Sequence, residues 1–251
     1  MNSQGLQSLP AKMWILDIDG TLMPSHEIDN QCYWQAVDEC FGGAPEPVDL
    51  HGFRHVSDAG VLSEWMSRTW QREATTAELA RVRGRFLELT QQAFATNAAD
   101  FAPMPGLKEW LVALIALGNQ SIAIATGGWA HTARFKLQAS GLDSFGFPLA
   151  SSDDAPERQA IMEKALALLT PDSAIHNLDQ VNRAVCYVGD GPWDFKASQS
   201  LGWDFIGIAE GSRAAILREA GARQVFCNFN ELLASKTFPA SLTETQGHVP
   251  A

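Results

Sequence analysis

The sequence contains few cysteines, fewer basic than acidic residues, and no long hydrophobic run. Its four cysteines, in 251 residues, form no Cys-x-x-Cys pair, which argues against a zinc site or a disulfide framework. No apolar segment approaches the ~20 residues needed to cross a membrane. Lys and Arg total 18 against 29 Asp and Glu, a net charge of −11. Nucleic acid and anionic membrane are therefore not expected partners.

The remaining composition is that of an ordinary globular protein. Hydrophobic residues make up 46% of the chain and charged residues 19%, and this length can bury a substantial core. Residues 1–11 and 236–251 are polar and unpatterned, so we predict that both ends are flexible. The first residues lack the basic-then-apolar order of a signal peptide, and a cytoplasmic location is expected.

A short strand that ends in two carboxylates is the central feature of the sequence. The apolar run Trp14-Ile15-Leu16 leads directly into Asp17-Ile18-Asp19-Gly20-Thr21. Alternate residues of an extended strand share a face, so Asp17 and Asp19 are expected on the same side. Two anions this close repel unless a cation or a shared proton relieves them. The stretch indicates a metal site or a nucleophile beside an acid/base, although an acidic turn closing a strand is also consistent with it.

Residues 23–103 are predicted to form a helical cap domain inserted after the first strand. Amphipathic helices are expected at residues 26–41, at residues 57–70, and after the capping box Thr75-Thr76-Ala77-Glu78. No run in this block is as apolar as the first strand. Such helices need a surface to cover, which the rest of the chain can supply.

Residues 12–22 and 104–235 are predicted to form the catalytic core. Strand-like runs at residues 121–125, 184–188 and 203–208 alternate there with helical patterns. This alternation is typical of βαβ units. We therefore predict an α/β fold, with a Rossmann-like parallel sheet covered by helices on both faces.

Unusual polar residues follow three of these strands. Asp17 and Asp19 follow the first, Thr126-Gly127-Gly128 the second, and Asp190 and Asp194 the third. Ligands bind at the carboxyl ends of strands in such sheets. Glycines before a helix allow backbone amides to approach an anion, and a cluster of carboxylates suits Mg²⁺. Each motif alone is also ordinary turn chemistry, but together they indicate one site.

These motifs resemble those of the haloacid dehalogenase-like superfamily, in the phosphatase branch with a helical cap after the first strand. The segment Asp17-Ile18-Asp19-Gly20-Thr21-Leu22 resembles its first motif, Thr126-Gly127 its second, and Gly189-Asp190 with Asp194 its fourth. The resemblance spans roughly residues 12–235. It implies a Mg²⁺-dependent phosphomonoester hydrolase, similar to phosphoglycolate phosphatases, with a small phosphorylated metabolite as substrate.

The resemblance also implies a role for each motif residue. Asp17 would be the nucleophile that forms an aspartyl-phosphate, and Asp19 would protonate the leaving alcohol and then activate water. Thr126 and the Gly127 amide would hold the phosphate oxygens. The implied metal ligands are Asp17, the backbone carbonyl of Ile18, Asp190 and Asp194.

The third motif, normally a lysine near the start of a helix, departs from the family pattern. Arg158 is expected in the first turn of a helix over residues 156–169, and Lys164 lies nearly two turns further on. Position favours Arg158, whose forked guanidinium can bridge Asp17 and a phosphate. A solvated surface position is the preferred interpretation of Lys164.

Substrate recognition is expected from the cap. Arg54 and His55 are candidates to contact a carboxylate or a second anionic group of the substrate, but exposed loop residues without a function explain them equally well. A dehalogenase is disfavoured because that branch lacks the acid/base at the position of Asp19. A phosphotransferase or mutase using the same aspartyl-phosphate, and a catalytically silent binding protein, remain as alternatives.

Overall fold

The computed structural model describes residues 12–43, 50–170, 182 and 184–235. The predicted flexible ends, residues 1–11 and 236–251, lie outside the described residues. The strands are β1 (Lys12–Leu16), β2 (Gln120–Ala125), β3 (Leu149–Ala150), β4 (Val185–Gly189), β5 (Asp204–Ile208) and β6 (Val225–Phe226). The α-helices are α1 (His26–Phe41), α2 (Asp58–Trp70), α3 (Thr76–Thr96), α4 (Leu107–Ala116), α5 (Ala130–Ala139), α6 (Arg158–Leu169), α7 (Pro192–Leu201), α8 (Gly211–Glu219) and α9 (Phe229–Ala234).

Within the described residues, the strands form one six-stranded parallel sheet with the order β3-β2-β1-β4-β5-β6. Strand β1 is central: Leu16 pairs with Ile124 of β2 on one side and with Val188 of β4 on the other. The chain moves outward from β1 to β3 and then returns to β4, so the strand order reverses beside β1. The α/β prediction is confirmed, and the reversal predicts where a ligand would bind.

Helices cover both faces of the sheet, as the period-2 alternation of β1 requires. Trp14 and Leu16 join a hydrophobic cluster with α4 and α9, whereas Ile15 joins a second cluster with Ile161 and Met162 of α6. Trp14 packs edge-to-face on Trp110 of α4, with ring centroids 5.3 Å apart. Burial on both faces explains why the buried parts of the central strands β1, β2 and β4 are apolar runs rather than alternating with polar residues.

Helices α1, α2 and α3 share a separate hydrophobic cluster. Trp34, Trp65 and Phe86 lie in this cluster, and Trp129 from the core side joins it. The capping box is present, because the Thr75 amide donates to Glu78 Oε2 at 2.8 Å and the Glu78 amide donates to Thr75 Oγ1 at 3.3 Å. The division of the chain into a core and a cap domain stays a prediction.

Helix α7 begins earlier than expected. The apolar pattern predicts a start near Phe195, but the helix begins at Pro192. Proline fits the first helical position because its missing amide hydrogen would have no partner there. Asp194 therefore lies in the first turn of α7, where its Oδ2 accepts a hydrogen bond from the Gly191 amide at 3.1 Å.

None of the helices formed by the described residues is long and apolar enough to cross a bilayer, and the cytoplasmic location stays a prediction.

Candidate active site

A cavity of about 370 Å³ lies at the carboxyl ends of the central strands. Helices α1 and α2 contribute Asp29, Tyr33 and Asp58 to its wall. The motif residues that line it are Asp17, Asp19, Thr126, Gly127, Arg158 and Asp190. The fold therefore brings the three strand ends together around one space, as their positions in the sequence predict.

The first motif forms a tight turn directly after β1. Gly20 has φ +79°, and a Cβ there would lie 2.1 Å from Asp190 Oδ2. Only glycine tolerates both that conformation and that close approach. The Ile18 carbonyl accepts the amides of Thr21, Leu22 and Met23, at 3.2, 2.8 and 3.3 Å. This bonding holds the turn in place, and the expected metal-ligand role of the Ile18 carbonyl stays a prediction.

Three buried carboxylates converge beside this turn. Oxygen atoms of Asp17, Asp190 and Asp194 lie within 4.8 Å of one another. Burial raises the pKa of Asp17 well above its ordinary value, and the charges of the neighbouring carboxylates raise it further. Burial also raises the pKa of Asp190 to about 7. Such a cluster is short of positive charge.

Arg158, the first residue of α6, lies against this cluster. Its Nη1 donates to Asp17 Oδ1 at 3.2 Å, and its Nε lies 3.3 Å from Asp194 Oδ1. The first distance is a hydrogen bond, whereas the second is an ion pair without hydrogen-bond alignment. Lys164 is exposed on the same helix and does not line the cavity. The geometry favours Arg158 over Lys164 for the third motif.

The loop after β2 connects the cavity to α2. Thr126 Oγ1 accepts the Gly128 amide at 3.1 Å. The Asp58 amide donates to the Gly127 carbonyl at 2.8 Å, and Asp58 Oδ2 accepts the Trp129 amide at 2.8 Å. A Cβ at position 127 would lie 2.8 Å from Arg158 Nη2, so glycine is what allows the guanidinium to approach this loop.

Asp19 has partners that the sequence motifs do not indicate. Its Oδ1 accepts hydrogen bonds from Ser25 Oγ at 2.5 Å and from Lys136 Nζ at 2.7 Å, and its Oδ2 accepts one from Lys136 Nζ at 2.8 Å. The same ammonium donates to Asp29 of α1. Sequence reasoning missed Lys136 because it lies mid-helix in α5, ten residues beyond Thr126, and nothing in its local sequence marks it as buried.

A family model for haloacid dehalogenase-like hydrolases matches residues 12–202. The chain belongs to the haloacid dehalogenase-like hydrolases. Solved structures agree in fold: a hydrolase from Pseudomonas syringae is 20% identical, with a TM-score of 0.65 over 89% of this chain and 96% of that one. CbbY from Rhodobacter sphaeroides, in complex with phosphate, is 17% identical, with a TM-score of 0.61 over 89% and 96%.

A third structure has the same extent of similarity. It is described as a predicted phosphoglycolate phosphatase from Haemophilus somnus and is 19% identical, with a TM-score of 0.60 over 89% of this chain and 96% of that one. A search of the curated proteins found no significant match. At these identities the structural comparisons show a shared fold, and the family model identifies the chain as a hydrolase of this superfamily.

The carboxylate cluster of this haloacid dehalogenase-like hydrolase suits a magnesium ion. Asp17, Asp190 and Asp194 offer oxygen atoms at a common point, and Mg²⁺ prefers oxygen ligands. Burial is the main cause that raises the pKa values of these carboxylates, and the charge of Arg158, with that of Arg213 at Asp190, offsets only part of the rise. A divalent cation would neutralise the excess charge.

A second arginine, Arg213 of α8, also reaches the site. Its guanidinium bonds the Asp190 carboxylate and lies 2.9 Å from His26 Nδ1. Burial and the nearby Arg213 charge lower the pKa of His26. Neither residue was singled out from the sequence, because neither belongs to the motifs that follow β1, β2 and β4.

The two substrate candidates of the predicted cap, Arg54 and His55, are not among the residues that line the cavity. Arg54 is exposed, and its amide donates to Glu64 Oε2 at 2.8 Å. His55 Nε2 lies 3.6 Å from Glu157 Oε1, outside the residues that line the cavity. No contact within the described part of the chain supports a substrate role for either residue, and that role stays a prediction.

Proposed function

We propose that this chain is a Mg²⁺-dependent phosphatase that hydrolyses a small phosphomonoester through an aspartyl-phosphate on Asp17. The observation that carries the proposal is the convergence of Asp17, Asp190, Asp194 and Arg158 at one end of the cavity. Phosphoryl transfer requires mainly positioning and charge neutralisation. The cluster positions the nucleophile, and the neutralising charge would come from Arg158 and from a Mg²⁺ held by the carboxylates.

The two steps follow from the positions of Asp17 and Asp19. An Asp17 oxygen attacks phosphorus, the bond to the leaving oxygen breaks, and Asp19 gives that oxygen a proton. Water then attacks the aspartyl-phosphate while Asp19 takes a proton from it, which releases phosphate and restores Asp17. Both side chains line the same cavity, so one substrate can reach both.

The other groups bind and orient the phosphate. Arg158 contacts Asp17 and lies beside Gly127, so its guanidinium can hold a phosphate oxygen next to the nucleophile. Thr126 and Gly127 line the same cavity, where the threonine hydroxyl and the glycine amide would hold phosphate oxygens. Asp17, Asp190 and Asp194 would hold the Mg²⁺, which supplies positive charge to the transferring phosphoryl group.

The cavity volume suits a metabolite rather than a polymer or a protein substrate. About 370 Å³ is close to the lower end of the range for small-molecule pockets. One structural relative, a CbbY variant from Rhodobacter sphaeroides, was solved in complex with xylulose-1,5-bisphosphate. That relative supports a phosphorylated small molecule as the substrate class of this chain.

The test is phosphate release by the purified protein from para-nitrophenyl phosphate with Mg²⁺. We expect turnover that stops on chelation and is absent in Asp17→Asn, while the circular dichroism spectrum of the variant is unchanged. Full activity of Asp17→Asn would refute the proposal. Product analysis with phosphorylated sugars separates hydrolysis from transfer, because a mutase would return a phosphorylated product instead of inorganic phosphate.

A further inference from the structure

Lys136 is a fully buried ammonium in the middle of α5. Its side chain is 1% exposed, and it is not among the described residues that line the cavity. Burying a charge is costly unless it is paired, and this one is paired with two carboxylates, Asp19 and Asp29. Its Nζ also lies 6.0 Å from the centre of the Phe86 ring of α3.

The contacts of Lys136 fix the orientation of the Asp19 carboxylate. Lys136 Nζ bonds both of its oxygens, at 2.7 and 2.8 Å, and Ser25 Oγ bonds Oδ1 from a second direction. Rotation of the carboxylate would break at least one of these bonds. Among the described residues Oδ2 accepts only the Lys136 bond, so a lone pair of Oδ2 remains for a substrate or water in the cavity.

We propose that Lys136 is a positioning residue that holds the proton-transferring carboxylate of Asp19 toward the leaving group. The proposal rests on the phosphatase function proposed above, in which Asp19 acts as acid and base. Lys136 does not itself reach the cavity, so its effect on the reaction passes through Asp19.

Asp29, the second partner of Lys136, connects it to helix α1. It lies on α1, so one ammonium joins α5, the turn after β1 and the first inserted helix. One positive charge cannot neutralise two carboxylates, and burial together with the Asp19 charge raises the pKa of Asp29 to about 7. This agrees with Asp19 as the principal partner, since it holds Lys136 with both oxygens.

The test compares two esters of nearly equal shape that differ in their need for a proton. Phenyl phosphate has a poorer leaving group than para-nitrophenyl phosphate, so it depends more on protonation by Asp19. In Lys136→Met we expect kcat/KM for phenyl phosphate to fall about 10- to 100-fold, part of the ~10²–10⁴-fold effect of general acid catalysis. The fall in kcat/KM for para-nitrophenyl phosphate should be several-fold smaller, because its better leaving group needs less protonation. The comparison uses kcat/KM because this constant includes the step in which the leaving group departs.

Controls separate positioning from a structural role. Lys164→Met, an exposed lysine on α6, should leave both values unchanged. Lys136→Arg should restore part of the loss with phenyl phosphate, since it keeps the charge and the donors. In an Asp19→Asn background, Lys136→Met should lower kcat/KM little further, because the carboxylate that Lys136 positions is already absent.

Several results would overturn the proposal. An equal loss with both esters would assign Lys136 a structural role, and no loss with either would remove its role altogether. If Lys136→Met fails to fold, the double variant Asp29→Asn with Lys136→Met removes the second unpaired carboxylate and is measured in the same way. If the wild-type enzyme is inactive on both esters, the phosphatase function is refuted and the role of Lys136 with it. If the wild type is active but the Lys136 variants lose equal activity on both esters, only the role of Lys136 is refuted.

Discussion

Replacing Arg158 by methionine tests the electrostatic account of the site most directly. Methionine approximates the length of the side chain but carries no charge. In the wild type, the guanidinium lies 3.2 Å from Asp17 Oδ1 and 3.3 Å from Asp194 Oδ1, and it is almost fully buried. The substitution would leave three adjacent carboxylates with Arg213 as the remaining arginine in contact with them among the described residues.

The structure sets the size of the expected effect. Two unit charges 3.2 Å apart attract by about 5 kcal/mol at an effective dielectric constant of about 20. Removing one partner of a buried ion pair costs about 3–5 kcal/mol after relaxation. Typical proteins have about 5–15 kcal/mol of unfolding free energy, so Arg158→Met should remain folded but be much less stable than the wild type.

Urea denaturation without divalent cations measures this change in the free energy of unfolding. Addition of Mg²⁺ should stabilise Arg158→Met as well as the wild type, because a ligand that binds only the folded state shifts the equilibrium toward it. Lys164→Met provides the matched control on the same helix and should denature like the wild type. A denaturation midpoint of Arg158→Met equal to that of the wild type would show that Arg158 does not compensate the carboxylates, and normal phosphatase activity would remove it from the third-motif role.

Three further predictions concern the surroundings of the site. Burial raises the folded-state pKa of Asp29 from 3.8 to about 7, so between these pH values the native state binds more protons than the unfolded state and the free energy of unfolding falls as pH rises. In urea denaturation at several pH values, Asp29→Asn should make the free energy of unfolding less dependent on pH; an unchanged pH dependence would contradict this assignment. Gly20→Ala should destabilise the protein and reduce phosphate release, because its Cβ would lie 2.1 Å from Asp190 Oδ2; wild-type values in thermal melts and assays would argue against that clash. Thr75→Ala should cost about 1 kcal/mol of stability by removing a helix cap while activity is retained, as checked by denaturation and phosphate release.

The interior of the fold was readable from the sequence where the signal is local. The bounds of α1 match the predicted helix, and the capping box at Thr75 and Glu78 is formed as its spacing indicates. Strand β1 is recognisable because residues buried on both faces leave a continuous apolar run. The parallel sheet then follows from the alternation of strands and helices. The start of α7 was wrong by three residues, since apolar periodicity does not register a proline at the first helical position.

The residues of the candidate site also fall into those that local sequence patterns indicate and those that they do not. Asp17, Thr126 and Asp190 could be found because each follows a strand, and parallel strands bring their carboxyl ends to one edge. Arg54 and His55 could not be placed, since a loop position says little about where its side chains lie. The three amides that bond to the Ile18 carbonyl could not be read from the sequence either, because they depend on the backbone path of the turn.

The sequence alone was enough to predict the family, the fold class and the carboxylates that the fold brings together, because short, contiguous patterns of residues indicate each of them. The tertiary structure added cations that the sequence does not indicate. Position in the sequence favours Arg158 as the partner of Asp17, but nothing there marks Lys136, 117 residues from Asp19 along the chain, as the partner of that carboxylate. Such pairs depend on how helices pack on the sheet, and no local pattern of residues encodes that packing.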